Sequence, residues 1–275
     1  MIHYIIWIFL SILYSPVFYK LYRSRWKTID YTHAYFILPV SLWLAWQKRD
    51  KLKEIFKNNS SNTGFSGFII LIIGTLLFIF GWKRDYLLIS TFSLIPVLFG
   101  LIIFMYGKYT VKELSFPILY LLLLVPPPLG IIDTITLPMR YGISVMTEMI
   151  LRLFNYPIYR EGLLLSLGGH DIYMGAPCSG FRSLVTIIAL GLVYGYINSG
   201  SLYKRVILIA SVIPLALLGN LIRVISMCLF TYYIGENFAQ KYFHDYSGIV
   251  MFLLVILGLI GTESLLDKIL KKPND

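Results

Sequence analysis

The feature that most constrains this chain is a series of apolar runs, each about 20 residues long, separated by short polar loops. A run of that length crosses the hydrocarbon core of a bilayer as an α-helix. Hydrophobic residues make up 57% of the chain and charged residues 14%, a balance that a water-soluble domain of this size could not keep in solution. We therefore expect an integral membrane protein. About eight runs qualify, and they cover residues 2–19, 32–47, 65–82, 86–106, 114–132, 180–198, 206–234 and 248–266.

The predicted architecture is all-α: one polytopic domain over residues 1–275 with about eight transmembrane helices. The long outer connection between the fifth and sixth runs, residues 133–179, has apolar residues at helical spacing from Thr134 to Leu153. Charged residues interrupt this spacing, a pattern that predicts a helix lying at or dipping into the membrane interface. Prolines 126–128 remove three backbone donors in a row, so the fifth helix should break there or open toward a cavity.

The distribution of lysine and arginine favours a topology with both termini in the cytoplasm. Half of the 24 basic residues then fall on inner segments, namely Lys48, Arg49, Lys51, Lys53, Lys57, Lys108, Lys112, Lys204, Arg205, Lys268, Lys271 and Lys272. The exception is an outer loop that carries Lys20, Arg23, Arg25 and Lys27. The first run, Ile2 to Phe18, lacks a basic leader and a small-residue cleavage site, so we expect it to remain as a helix.

The charge and the cysteine count exclude several classes of protein. The net charge of +10 sits in small clusters between apolar runs, without a basic face that carries aromatic residues, so we expect no nucleic-acid partner. Of the two cysteines, Cys178 and Cys228, the second lies inside an apolar run, which argues against a disulfide framework and leaves room for one reactive thiol. The four histidines are scattered, and no HExxH, CxxC, phosphate-loop or GxSxG pattern occurs. We expect no metal and no cofactor.

The first candidate for chemistry is Cys178, which stands where the sixth helix should begin. The helix dipole at that position favours a thiolate. Arg182 lies four residues further on, on the same helical face, and adds to the positive field. The alternative interpretation is a buried structural cysteine, since free cysteine is among the most buried residue types.

The second candidate is Arg223, a permanent charge within the seventh apolar run, with Asn220 one turn before it on the same face. A guanidinium there must face an anion, a carbonyl or water, unless it snorkels to the lipid headgroups. The third candidate is His244, which precedes the last helix and titrates near neutrality, although a single loop histidine is usually just solvated. His170 and Asp171 offer another base and orienting residue, ranked lower because Gly168 and Gly169 predict a turn before a short strand.

In the predicted topology, Cys178, Arg223 and His244 fall at the same outer membrane boundary, although they come from three different segments. A thiol, an imidazole and a guanidinium are the nucleophile, the proton shuttle and the oxyanion stabiliser that acyl transfer by a cysteine enzyme requires. The residues therefore point to a cysteine-dependent acyl transfer at the outer surface.

These segments resemble the motifs of the exosortase/archaeosortase family of membrane transpeptidases. The three main blocks are Ala176-Pro-Cys-Ser-Gly-Phe-Arg-Ser-Leu184, Asn220-Leu-Ile-Arg223, and His244 ahead of Gly248. The front of the chain resembles the family's early outer loop and second helix, through Trp26, Ile29-Asp-Tyr-Thr-His33, Leu38-Pro39, Trp46 and Lys48-Arg49. The central region is similar at Phe116, Pro126, Leu151, Pro157, Arg160 and Gly162. The resemblance covers nearly the whole chain.

The resemblance implies that Cys178 is the nucleophile, His244 the acid/base and Arg223 the stabiliser of the oxyanion or thiolate, with Arg182, Asn220 and His33 in supporting positions. It implies cleavage of a C-terminal sorting tail of exported proteins through a thioester, with transfer to an amine or hydrolysis. The implied tail has a Pro-Glu-Pro-like motif (PEP-CTERM), a membrane helix and a basic end, often alongside exopolysaccharide production. The implied location is the bacterial inner membrane, in contact with its lipids and with the active site facing the periplasm or cell exterior.

Two other functions use the same residues. A non-enzymatic transporter or assembly component for exopolysaccharide export would line a substrate path with Arg223 and the proline-broken fifth helix. The chain shows no internal repeat of the kind that such transporters have. A membrane acyltransferase that uses His244 would not need Cys178, so a Cys178→Ala variant separates it from the transpeptidase.

Overall fold

The computed structural model describes residues 2–26, 33–57, 64–128, 131–175, 181–197, 202–235 and 244–270. The chain divides into two compact units, Met1–Leu129 and Gly130–Asp275. The prediction of a single domain over 1–275 stays a prediction.

The first unit is built from helices. They are α1 (Ile2–Leu21), a π-helical turn (Tyr22–Trp26), α2 (Ala34–Gln47), α3 (Arg49–Lys57), α4 (Phe65–Lys83), α5 (Leu87–Phe92), α6 (Leu94–Tyr106), α7 (Lys108–Tyr120) and a 3-10 turn (Leu121–Leu124). A buried hydrogen bond of 2.9 Å joins the hydroxyl oxygens of Tyr14 on α1 and Ser93, the residue between α5 and α6. It satisfies two buried polar groups that would otherwise be costly inside the unit.

Glycines let α4 pack closely against α5 and α6, which follow one another in the chain and run antiparallel to α4. Gly67, Gly74 and Gly81 recur every seventh residue on one face of α4, a spacing that keeps them in line along the helix. A β-carbon at these positions would lie 2.6–2.7 Å from the facing backbone nitrogens, which belong to Phe104, Val97 and Ser90. Small residues at such an interface bring helix backbones together, which is how apolar helices associate in lipid.

We expect a Gly74→Ala change to destabilise the protein by about 1–3 kcal/mol, because the added carbon would overpack the interface. That carbon would lie 2.7 Å from the Val97 nitrogen, so the two helices would have to separate. The matched control is Gly261→Ala in the last helix, where an added carbon meets nothing within 4 Å. The control should be neutral or stabilise by up to about 1 kcal/mol. Thermal unfolding of the detergent-solubilised protein measures both, and equal effects would contradict the packing argument.

The fifth predicted run, 114–132, does not form one helix. The helix begins earlier, at Lys108, and ends in the 3-10 turn, after which Val125 has extended backbone angles (φ −69°, ψ 116°). The cause is the proline triplet 126–128, which lacks backbone donors and disfavours helical angles in the residue before it. The predicted break is therefore confirmed, but the predicted extent of the helix is wrong.

The second unit combines long helices with a small sheet that the all-α prediction omitted. Its elements are α8 (Ile131–Leu153), β1 (Ile158–Glu161), β2 (Leu164–Leu167), β3 (His170–Tyr173), α9 (Phe181–Ile197), α10 (Leu202–Ile234) and α11 (His244–Leu270). The sheet is antiparallel with the order β1-β2-β3. Gly168 and Gly169 have positive φ values of 58° and 86°, which a two-residue hairpin turn requires, so the predicted turn is confirmed.

Two apolar clusters hold this unit together. One packs the inner face of the sheet against α8 and the C-terminal half of α10, through Ile143, Leu151, Ile158, Leu165, Leu167, Ile172, Met174, Leu221, Val224, Met227 and Cys228. The other joins α9, α10 and α11 through Ile187, Val212, Ala216, Met251, Val255 and Leu259. The two clusters meet α10 at successive levels, so α10 connects the sheet to the three-helix packing.

A charged network joins the other ends of α9, α10 and α11. The Lys204 ammonium lies 2.9 Å from a Glu263 oxygen and 2.8 Å from an Asp267 oxygen. The Tyr194 hydroxyl donates to the Glu263 carboxylate. Because only 9% of the Lys204 side chain is exposed, these acidic partners compensate a charge that has lost most of its water.

The described residues include five helices long and apolar enough to cross a membrane. They are His3–Trp26, Phe65–Lys83, Leu87–Tyr106, Tyr203–Ile234 and Val250–Ile269. Ala34–Gln47 and Val185–Ile197 are shorter apolar helices. All of them coincide with predicted runs, and 114–132 is the predicted run without a counterpart. The chain is a mainly helical integral membrane protein.

Candidate active site

Arg223 continues the stripe of α10 that packs on its neighbours. Val212, Ala216 and Gly219 face α9 and α11, and Arg223 follows Gly219 at the helical spacing of four residues. It therefore lies on the same side of α10, one turn beyond the apolar contacts, and its side chain is partly buried. Position 223 is thus on the face of α10 that packs on α9 and α11.

The beginning of α11 lies at the level of Arg223. The two helices are antiparallel, since Gly219 faces Met251 and Gly258 faces Leu215. Arg223 lies four residues beyond Gly219, about 6 Å along the axis of α10. The first residue of α11 lies seven residues before Met251, about 10 Å along the axis of α11 and in the same direction. The two positions are thus within about one helical turn of each other along the axes.

The beginning of α9 lies at the same level. Gly191 packs on Val212, and Gly195 packs on Ile209, which defines the antiparallel register of α9 and α10. From the Gly191 contact, the first residue of α9 lies about 15 Å away along the helix and Arg223 about 16 Å away, again in the same direction. The amino ends of α9 and α11 therefore converge with Arg223 at one end of the three-helix packing.

The sheet holds the chain that leads into α9. Met174 follows β3, has no exposed surface, and its backbone nitrogen donates a 2.8 Å hydrogen bond to the Leu163 carbonyl. Gly175 then donates to the Tyr173 carbonyl at 2.9 Å. The segment before residue 176 is consequently anchored to the sheet and to the apolar cluster beneath it.

The structure describes the predicted site residues to different extents. Cys178 lies outside the described residues. Arg182 and His244 lie in the first turns of α9 and α11, where the description covers the backbone but not these side chains. Asn220 is buried, one turn before Arg223. His33 is also buried, at the start of α2 in the first unit. The structure thus groups Arg223, Asn220 and the two helix starts, while the catalytic roles remain predictions.

The alternative pair of His170 and Asp171 is not a base and its orienting residue. The two are neighbours on β3, where successive side chains point to opposite faces of the sheet. Asp171 lies on the exposed face and accepts a hydrogen bond from Ser166 at 2.5 Å. A strand therefore separates these two side chains, and sequence adjacency was misleading.

Glu148 is a structural residue that the sequence analysis did not single out. Its carboxylate lies 2.8 Å from Arg152 on the same helix and 2.8 Å from Arg160 on β1. The hydrogen bond from Arg160 to Glu148 raises the pKa of the Arg160 guanidinium, which keeps its positive charge. The only signal in the sequence was a set of charges that interrupt an apolar helical pattern, which did not reveal the partner.

Among the described residues, Arg223 offers a positive charge for chemistry, whereas the thiol of Cys228 does not take part. Cys228 has no exposed surface and belongs to the apolar cluster under the sheet, so it cannot meet a substrate. In the described part of the chain, no group of three or more His, Cys, Asp or Glu side chains could hold a metal ion. That the protein works without metal or cofactor stays a prediction.

The comparison with known proteins agrees with the residue pattern. A search of curated proteins and a search of solved structures give no match. A model of the transmembrane exosortases matches residues 26–261, from the end of the first helix into the last. Because this match covers most of the chain, the protein belongs to the transmembrane exosortase family, whose members are generally cysteine transpeptidases.

Proposed function

We propose that the protein is a membrane-embedded cysteine transpeptidase that cleaves C-terminal sorting signals of exported proteins near the outer face of the membrane. The observation that carries this proposal is the convergence of Arg223 with the amino ends of α9 and α11. Cys178 precedes the first of these ends by a few residues, and His244 begins the second. We therefore propose that these three chemically complementary residues share a common neighbourhood.

Cys178 is the proposed nucleophile. The amino end of a helix carries partial positive charge, which lowers the pKa of a nearby thiol and favours the thiolate. Arg182 adds a full charge within the first turn of the same helix. Met174, four residues before Cys178 in the sequence, is fully buried and bonded to the sheet.

Arg223 is the proposed stabiliser of negative charge. A guanidinium offers five donors, and its charge is permanent. Partial burial among apolar helices lowers the local dielectric, so the attraction to a developing oxyanion is stronger than it would be in water. Asn220 lies on the same helix face and is the proposed support for the orientation of the arginine.

His244 is the proposed acid and base. The seven residues from His244 to Met251 make nearly two full turns, which return the helix to the same face. Met251 faces Gly219 of α10, so position 244 lies on the same side of α11 as Met251, the side that packs on α10. An imidazole titrates near neutral pH and can both receive and return a proton there.

The proposed reaction has two steps. The Cys178 thiolate attacks the carbonyl carbon of the scissile peptide, a C–S bond forms, and the carbonyl oxygen takes the negative charge beside Arg223. Collapse breaks the C–N bond, and the leaving amine takes the proton of the His244 imidazolium. In the second step, an acceptor amine or water gives a proton to His244 and attacks the thioester, which breaks the C–S bond and restores the thiolate.

The proposed setting is the bacterial inner membrane, with about eight crossings, cytoplasmic termini and the active site on the periplasmic or outer side. Helix α8 lies along the outer interface in this proposal, and its apolar Met149 and Leu153 are 73% and 79% exposed, as contact with lipid requires. The proposed substrates are exported proteins whose tail has a Pro-Glu-Pro-like motif, an apolar helix and a basic end.

Trapping of the acyl-enzyme tests this function. The purified protein is mixed with a small exported reporter that carries such a tail, quenched in acid and analysed by intact-mass spectrometry. We expect the chain to gain the mass of the reporter without its tail, on a peptide that contains Cys178. Neutral hydroxylamine should release the adduct, because it cleaves thioesters.

The second cysteine provides the internal control. Peptide mapping should find Cys228 unmodified, since that thiol is buried. Trimming of the reporter without any adduct on Cys178 would favour the acyltransferase type of mechanism that uses His244 alone. A chain that supports polysaccharide export, but neither trims nor binds any tail, would be the transporter or assembly component.

A further inference from the structure

The outer edge of β3 has backbone groups that no other strand in the described residues uses. β3 is the last strand of the sheet and pairs only with β2 in the described part of the chain. Leu167 lies opposite His170 across the two-residue turn, and such a turn is closed by a hydrogen-bonded pair. The pairs then alternate, so His170 and Ile172 bond to β2, while Asp171 and Tyr173 direct their backbone groups away from the sheet.

A second hydrogen bond confirms this alternation. The Met174 nitrogen donates to the Leu163 carbonyl at 2.8 Å, as the pair after Tyr173 should. The Tyr173 carbonyl accepts from Gly175. This leaves the N–H and C=O of Asp171 and the N–H of Tyr173 without backbone partners in the described structure. These groups are spaced as a pairing strand requires, about 6.8 Å from one residue to the next but one.

The opposite edge of the sheet is occupied in part. On β1 the outward groups belong to Ile158 and Arg160, because Tyr159 lies in a pair that bonds to β2. The Ile158 carbonyl accepts from the Arg152 guanidinium of α8 at 3.5 Å, and the Ile158 nitrogen donates to Tyr156. Helix α8 thus contacts the Ile158 end of β1, whereas Asp171 is exposed and Tyr173 is 65% exposed on β3.

We propose that the substrate's sorting motif binds as an added strand along the outer edge of β3, a hypothesis that rests on the proposed function. A peptide must be extended for a thiolate to reach its carbonyl carbon, and an extended peptide pairs with a free strand edge. The five residues from Tyr173 to Cys178 cover at most about 17 Å in any conformation, so a peptide on β3 would pass within that distance of the thiol. The occupant is therefore the segment that carries the scissile bond.

In strand addition, the main chain and the side chains of the peptide contribute differently to recognition. Hydrogen bonds to the main chain contribute affinity for any extended sequence, while alternate side chains of the peptide meet the enzyme surface and provide selectivity. The Tyr173 side chain stands on the exposed face at this edge, next to where every second side chain of the bound peptide would project. A short motif is sufficient for such a mode, because few residues fit along a strand of this length.

The first test removes one outward donor. Asp171→Pro eliminates the N–H that faces the substrate but no hydrogen bond to β2, and proline is tolerated at such edge positions. We expect kcat/KM for a reporter that the wild type trims to fall at least about tenfold, the cost of one lost hydrogen bond plus the obstruction by the ring. Asp171→Ala removes the carboxylate but keeps the N–H, so its kcat/KM should stay at least about fivefold above that of Asp171→Pro, which separates the loss of the donor from the loss of the side chain.

The second test does not depend on how well a proline is accommodated. A photo-crosslinking phenylalanine replaces Tyr173 in one chain and Tyr159 in another, each with Cys178→Ala so that the same reporter is not consumed. Both tyrosines lie on the exposed face, at 65% and 60% exposure, but on opposite edges of the sheet. We expect position 173 to crosslink to the reporter motif and position 159 to give at most a tenth of that yield.

Two results would overturn strand addition while the proposed function stands. One is an Asp171→Pro chain that is folded and trims at the wild-type rate. The other is equal crosslinking from both edges, or none from position 173, although wild type trims and Cys178→Ala does not. Failure of the proposed function would give a different result, because Cys178→Ala would then trim the reporter as wild type does.

Discussion

Replacement of Cys178 with alanine is expected to reduce tail trimming at least about a thousandfold, whereas replacement of Cys228 should leave the rate within about twofold of wild type. The reason for the first effect is that no thioester can form without the nucleophile. The measurement is the first-order rate of reporter trimming in detergent, at matched amounts of folded protein, followed by gel shift and mass spectrometry.

The comparison is sharp because the two substitutions are chemically identical. Cys228 lies fully buried in the apolar cluster beneath the sheet, so its loss affects packing and not chemistry. The Cys228→Ala chain should lose about 1 kcal/mol of stability, a typical cost for a single substitution. A Cys178→Ala chain that trims at the wild-type rate would exclude the thiol mechanism and leave His244 as the candidate nucleophile or base.

The transmembrane helices could be predicted because their signal is local. A run of apolar residues long enough to cross the bilayer specifies a helix by itself, since the backbone has no other partner in lipid. Phe65–Lys83 and Leu87–Tyr106 therefore match their predicted runs within a few residues. In run 114–132 the apolar composition continued through the prolines, so hydropathy extended the helix beyond the point where the backbone allows one.

The sheet could not be predicted at the same level because each strand has only four residues. Periodicity over so few residues does not separate a strand from a loop, and the glycine turn was the only clear signal. The ion pairs of Glu148 depend on contacts between α8 and β1, which no local pattern specifies. For the same reason the sequence suggested His170 and Asp171 as a pair, whereas on β3 their side chains point to opposite faces of the sheet.

For the candidate site, the sequence could supply residue types, order and membrane level, but not register. The level of Arg223 relative to α9 and α11 follows from where Gly191 and Gly219 meet their neighbours. Those contacts depend on the packing of three helices, in which a shift of one turn would move the arginine about 5.4 Å. The structure supplies this register for the backbone, and the charge pattern supplies the chemistry.

Replacement of Arg223 with alanine is expected to lower kcat about 10²–10³-fold and to change KM little. This is the loss typical of one group that stabilises a developing oxyanion in a low-dielectric site. Arg223→Lys should retain part of the activity, about tenfold below wild type, because the charge remains but the planar donor geometry is lost. Steady-state trimming rates over a range of reporter concentrations separate kcat from KM.

A second arginine on the same helix provides the control for Arg223. Arg205 lies near the other end of α10, about 27 Å away along the axis, and is also partly buried. Arg205→Ala should leave kcat unchanged, and any loss of stability can be compared with that of Arg223→Ala by thermal unfolding. If both alanine variants lower the melting temperature alike and neither lowers kcat, Arg223 is a structural or headgroup-binding residue. If only Arg223→Ala lowers kcat and lysine rescues part of the loss, its guanidinium acts on the reacting groups.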